Sequence, residues 1–177
     1  MNPNFFTTIG LILSAIAAYI LGTGHLHWGG AMILVAGLFD ILDGRVARAT
    51  NRVTKFGALY DSTLDRYGEV LIFFGLAYFF SRSELMLWGF DWSTLVILSV
   101  SMALGGSVMT SYVRARAEGL GLECKVGIMQ RSDRLVYLGF GALFFKFTLV
   151  LALILIAIMA NITAIQRLYH VWKTENT

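Results

Sequence analysis

Asp40, Asp43, Asp61 and Asp65 are the residues of this chain best suited to chemistry. They fall in one 26-residue window, Asp40-x2-Asp43-Gly44-x2-Ala47-Arg48, then eight residues, then Gly57-x3-Asp61-x3-Asp65. Both halves run into long apolar stretches, where an ionisable side chain costs about 2.5–3.5 kcal/mol on insertion scales. Helical positions i, i+3 and i+4 share a face, so Asp40 groups with Asp43 and Asp61 with Asp65, each pair at a helix end. A short connection makes the two helices antiparallel neighbours on which four carboxylates can converge. Left unpaired, such carboxylates protonate or bind cations. Two divalent cations balance four negative charges. An all-oxygen donor set without His or Cys favours Mg²⁺ or Mn²⁺, leaves Ca²⁺ open and disfavours zinc. The competing arrangement pairs the acids directly with Arg45, Arg48 and Arg66. Beside a metal pair, however, arginines are better placed as phosphate clamps. Paired metals, clamping arginines and nearby glycines are the parts needed for displacement at phosphorus. An acid not fully committed to metal can take the proton of an incoming hydroxyl. The residues alone lead to metal-dependent phosphoryl chemistry at a cytoplasmic membrane face, with the substrates unnamed.

The elements that position these acids are expected to be membrane helices. The chain has 177 residues, 57% hydrophobic and 14% charged, a balance that belongs to an integral membrane protein. A span needs about 20 mostly apolar residues, which allows roughly six. They are expected at 5–22, 29–49, 57–80, 92–118, 132–146 and 148–172, as an all-α bundle forming a single domain over 1–177. The apolar run from Phe5 has no basic leader or cleavage site and reads as the first span rather than a signal peptide. With one cysteine, Cys124, no intrachain disulfide is available.

Placement of the basic residues is more informative than the net charge of +3. Arg45, Arg48, Arg52 and Lys55 load one loop region, and Arg114, Arg116, Lys125, Arg131 and Arg134 another. Arg167 and Lys173 lie at the C-terminal end, while the alternate loops hold only Arg82 and Lys146. The positive-inside rule then puts both termini and the acid window on the cytoplasmic side. A soluble nucleic-acid binder is excluded by the amount of aliphatic surface, and no nucleic-acid partner is expected. Gly30 and Gly37 are read as helix-packing positions. Gly44 differs, since it sits among acids and arginines where a missing side chain lets a ligand reach the backbone.

Asp-x2-Asp-Gly-x2-Ala-Arg-x8-Gly-x3-Asp-x3-Asp is the signature of the CDP-alcohol phosphotransferase family, and residues 40–65 match all eight fixed positions. The chain is identified as a member of that family, whose fold also has six spans. The resemblance implies transfer of a substituted phosphate from a CDP-linked lipid to an alcohol, with release of CMP. By position it implies that Asp40, Asp43 and Asp61 are ligands of two divalent cations. It further implies that Asp65 completes the metal site and serves as proton acceptor. Gly44, Arg48, Thr54 and Gly57 match the region that contacts the CDP-lipid, together with Asn4 and Thr7 at the start of the first span. Many family members carry an amphipathic surface helix ahead of that span, whereas only Met1-Asn2 precede Pro3 here. The resemblance also implies a homodimer embedded in membrane lipids.

The acceptor has to be read from a second cluster. Ser111 and Arg114 are three apart and can share a helical face, Arg131 opens the next helix, and Arg167 ends another. Cations converging from several spans favour an anionic acceptor, a phosphate monoester. Their competing role is to follow the positive-inside rule and touch lipid headgroups. Ser111, Arg114, Arg116, Arg131 and Arg167 resemble the phosphate-binding positions of the phosphatidylinositol phosphate synthase branch, whose acceptor is inositol phosphate. That branch often has lysine where Arg114 stands. The rival acceptor is glycerol 3-phosphate, as in phosphatidylglycerophosphate synthase. A rival of another class, an ion transporter, calls for acids at the bilayer midplane and interrupted helices there.

Overall fold

Long apolar runs broken by few turn-forming residues give six helices: α1 Pro3–Gly22, α2 Leu26–Ala49, α3 Lys55–Ser81, α4 Ser93–Gly119, α5 Arg131–Phe144 and α6 Lys146–Glu175. The computed structural model describes residues 3–49, 54–83, 85–87 and 90–176, with the side chains of residues 3, 4, 41–49, 86, 87 and 90 left undescribed. Several helix ends have a local cause. Thr54 caps α3, its hydroxyl accepting from the Gly57 amide at 2.9 Å. Gly121 takes φ +81 just past α4, and the Leu122 amide returns to the Ala117 carbonyl at 3.0 Å, closing the helix. Asp133 accepts from the Gln130 amide at 2.8 Å and fixes the first turn of α5. A single extended residue, Phe145, separates α5 from α6. It forms the tight turn expected near Lys146.

The expected spans agree with the helices to within a few residues, but the helices differ in kind. α1 over Phe5–Gly22, α4 and α6 are long and apolar enough to cross a membrane, while the apolar part of α2, Leu26–Asp40, is shorter. α3 is interrupted by Asp61, Asp65, Arg66 and Glu69. The 14 residues of α5 extend only about 21 Å, short of a hydrocarbon core about 30 Å thick. The segment expected as a plain loop between the third and fourth spans contains a two-strand antiparallel hairpin, β1 Met86–Leu87 and β2 Phe90–Asp91.

The helices pack in the pairs α1–α3, α1–α2, α2–α5, α5–α6, α4–α6 and α3–α4. Their shared core includes Leu21, Ile33, Phe73, Leu76, Leu138 and Leu153, all nearly or fully buried. The outer faces carry Ile12, Leu98, Met102, Leu151, Ile158 and Leu168, all exposed. Gly30 lies where α2 crosses α5, and a Cβ there would stand 2.6 Å from the Gly139 carbonyl oxygen. Such a crossing admits only glycine. At Gly37, expected to play the same part, an added Cβ would meet nothing within 4 Å among the described residues, so no close crossing there requires glycine.

Candidate metal and phosphate site

The third turn of α3 faces the far end of α2, and there Asp40, Asp61 and Asp65 come together. One carboxylate oxygen from each lies within 4.8 Å of the others. All three side chains are partly buried. Arg131, the first residue of α5, enters the same cluster. Its Nη1 is 2.8 Å from Asp40 Oδ2 and 2.5 Å from Asp65 Oδ2. Arg131 Nε is buried without a hydrogen-bond partner. Thr7 and Gly10 of α1 line the small cavity beside Asp40, Asp65 and Arg131. The Thr8 hydroxyl meets the Tyr60 hydroxyl at 3.0 Å and ties α1 to α3 at the residue before Asp61.

Three clustered carboxylates with no nitrogen or sulfur donor match the oxygen coordination of Mg²⁺ or Mn²⁺. The residues present therefore fit a hard divalent cation. Asp43, Gly44 and Arg48 continue α2 past Asp40, but their side chains lie outside those described, as does that of Asn4 on α1. Gly57 and Thr54 form the cap at the start of α3, on the same helix as Asp61 and Asp65.

The other sequence-predicted arginines have diverse surroundings. Arg114 reaches along its own helix to Glu118 at 2.8 Å, both about half exposed. Arg116 is exposed in the last turn of α4. Ser111 lines an open groove between α3 and α4 with Thr63, Arg66 and Tyr67. Arg66, expected as a phosphate clamp beside the acids, lines that groove instead and donates to the Ser62 carbonyl of its own helix. Arg167 is buried: its Nε donates to the Val126 carbonyl at 2.8 Å and its Nη1 to the Thr110 carbonyl at 2.6 Å. The segment between α4 and α5 is thereby stitched to α6, with help from Thr163, whose hydroxyl accepts from the Met129 amide at 3.2 Å.

Glu69 and Arg134 were not assigned a site role from the sequence, and the structure joins them. Arg134 Nε donates to Glu69 Oε1 at 2.7 Å and Nη2 to Oε2 at 3.0 Å. The available signal was spacing: Glu69 follows Asp65 by four residues and Arg134 follows Arg131 by three.

This fold and acid cluster have known counterparts. The sequence model of CDP-alcohol phosphatidyltransferases matches residues 1–174, and the chain belongs to that family. It is 35% identical over 177 residues to the archaetidylinositol phosphate synthase of Methanothermobacter thermautotrophicus, covering 98% of this chain and 84% of the relative. It is also 35% identical over 176 residues to the phosphatidylinositol phosphate synthase of Mycobacteroides abscessus, covering 96% and 77% respectively. The crystal structure of Mycobacterium tuberculosis phosphatidylinositol phosphate synthase with manganese and citrate superposes with a TM-score of 0.87 at 30% identity, over 97% of this chain and 83% of that one. The same enzyme with CDP-DAG bound superposes with a TM-score of 0.83 at 31% identity, over 97% and 87%. The chain is thus a membrane-embedded phosphotransferase of phospholipid synthesis.

Proposed function

We propose that this protein transfers the phosphatidyl group of CDP-diacylglycerol, or the equivalent group of an archaeal CDP-lipid, to inositol phosphate, releasing CMP. The observation that carries the reading is the meeting of Asp40, Asp61 and Asp65 with the arginine that opens α5. Two divalent cations, Mg²⁺ or Mn²⁺, held by Asp40, Asp43, Asp61 and Asp65, supply charge stabilisation at the reacting phosphate. The acceptor hydroxyl oxygen bonds to the lipid-linked phosphorus, the bond from that phosphorus to the CMP oxygen breaks, and Asp65 takes the hydroxyl proton. Asn4, Thr7, Gly44, Arg48, Thr54 and Gly57 bind the CDP-lipid; of these, Thr7 is supported by its place beside Asp40 and Asp65. Ser111, Arg114, Arg116, Arg131 and Arg167 bind the acceptor phosphate, with Arg131 best supported by its position among the acids.

In this reading the 177 residues act as one domain with six membrane helices and both termini cytoplasmic. The site then opens to the cytoplasmic face of the cell membrane. Support comes from the basic residues gathered near Arg48, Arg131 and Arg167. Family membership supports a homodimer. The test is CMP release by detergent-solubilised protein supplied with Mg²⁺ or Mn²⁺, a CDP-lipid and a panel of alcohols. Turnover is expected with inositol phosphate. Silence with every acceptor sinks the enzyme reading, and turnover with glycerol 3-phosphate alone replaces only the acceptor.

A further inference from the structure

The polar contact between α3 and α5 has two rungs, of which the catalytic reading uses one. Asp65 and Arg131 form the first at 2.5 Å. Glu69 and Arg134, one turn further along each helix, form the second at 2.7 and 3.0 Å. Both rungs advance in the same sense, so α3 and α5 run parallel through this region. Among the described residues these two helices share no extensive backbone packing, because α5 rests on α2 and α6. Side chains therefore carry the register between α3 and α5.

The two rungs are built differently. Arg134 and Glu69 are only 1% and 3% exposed, and the guanidinium meets the carboxylate through two nitrogens and two oxygens. A two-point, planar contact fixes rotation as well as distance. Arg131 meets both of its acids at Nη1, and its Nε is buried without a partner, so the two-point contact seen in the second rung is not formed through Nε here. A buried ion pair is a poor source of stability, since apolar residues of similar volume often do as well or better. Stability alone does not account for a charged pair at this position.

We propose that Glu69 and Arg134 are a positioning pair that sets the rotation of α5, so that Arg131 faces the metal-binding acids and the incoming acceptor phosphate. The proposal rests on the phosphatidyl-transfer reading of the site. Neither Glu69 nor Arg134 touches the reacting groups; both act through Arg131.

The test measures CMP release by the full chain in detergent, varying CDP-lipid and inositol phosphate separately, together with the Tm. Arg134→Lys keeps the charge and loses the two-point contact; the acceptor KM is expected to rise about 10-fold while the donor KM moves less than about 2-fold. Glu69→Met combined with Arg134→Met is expected to keep the wild-type Tm and lose about 100-fold in acceptor kcat/KM, the scale of a roughly 1 Å misplacement. A folded double variant with wild-type acceptor kcat/KM overturns the proposal, as does an equal rise of both KM values in Arg134→Lys. Arg134→Lys made in an Arg131→Lys background decides the matter even where the double methionine variant does not fold. There the added effect on acceptor KM is expected to shrink to less than about 2-fold, and a full multiplicative effect overturns the link through Arg131. Wild-type protein that turns over glycerol 3-phosphate transfers the same test to that acceptor. Silence with every acceptor defeats the functional reading and the pair's role with it.

Discussion

Asp40, Asp61 and Asp65 stand on consecutive helices and share one environment, whereas Arg114, Arg131, Arg134 and Arg167 come from three helices and have four different sets of partners. In sequence the arginines look alike, each near a helix end beside small or polar residues. In space Arg131 joins the acids, Arg134 is buried against Glu69, Arg167 binds main-chain carbonyls and Arg114 remains on the surface beside Glu118. Carboxylates repel one another, so a cluster of them has few roles open to it, and a shared cation is the chief one. A guanidinium carries five donors and is satisfied by a carboxylate, a carbonyl or a phosphate alike. Its role depends on which acceptor the fold brings near.

That contrast can be broken experimentally, and the acids should respond most. Asp65→Asn should reduce CMP release by about 10²–10⁴-fold, the usual worth of a positioned base, while CDP-lipid binding is largely retained. Loss of binding together with turnover would remove the base role. Chelation with EDTA should likewise abolish turnover, and added Mg²⁺ or Mn²⁺ should restore it; activity that survives exhaustive chelation ends the metal assignment.

Among the arginines, Arg131→Ala should give the largest kinetic effect. The acceptor KM is expected to rise about 10–100-fold, beyond any change for CDP-lipid, in keeping with the loss of a charge-assisted contact worth about 1.5–3 kcal/mol. Equal effects on both substrates would take Arg131 out of the acceptor pocket. Arg167→Ala sharpens the comparison further. It removes two hydrogen bonds to buried main-chain carbonyls, so stability should fall by about 2–4 kcal/mol in denaturant or thermal unfolding. A raised acceptor KM at unchanged Tm would instead show that its main partner is the acceptor phosphate. Glu118→Gln should matter least, shifting stability by no more than about 0.5 kcal/mol, because its contact with Arg114 is an exposed i, i+4 pair.

Much of the fold was legible because membrane helices are written in long apolar runs, and the observed helix ends depart from the expected spans by only a few residues. Gly37 shows where pattern reading stops. It lies seven residues from Gly30 on the same helix, yet only Gly30 meets a neighbouring backbone. A straight helix crosses a neighbour closely at one level, and periodicity does not say which. Arg66 is a related case: adjacent to Asp65 in sequence, it lines the groove with Ser111 on another side of α3. The hairpin at Met86–Leu87 and Phe90–Asp91 is too short for a strand pattern to register.

The sequence by itself determined the reaction class. The spacing of Asp40, Asp43, Asp61 and Asp65 is local information, since i+3 and i+4 neighbours share a face of any helix. α2 and α3, expected to pack as direct neighbours, instead both pack on α1 among the described residues, and Asp40 meets Asp61 and Asp65 there. Tertiary structure alone decided what each arginine and Glu69 does. Arg131 meets Asp40 across 91 positions, Arg134 meets Glu69 across 65 and Arg167 meets Thr110 across 57. Contacts at that separation follow from how α5 and α6 are rotated against the rest of the bundle. Helix rotation is set by packing summed over the whole core, which no local run of residues encodes.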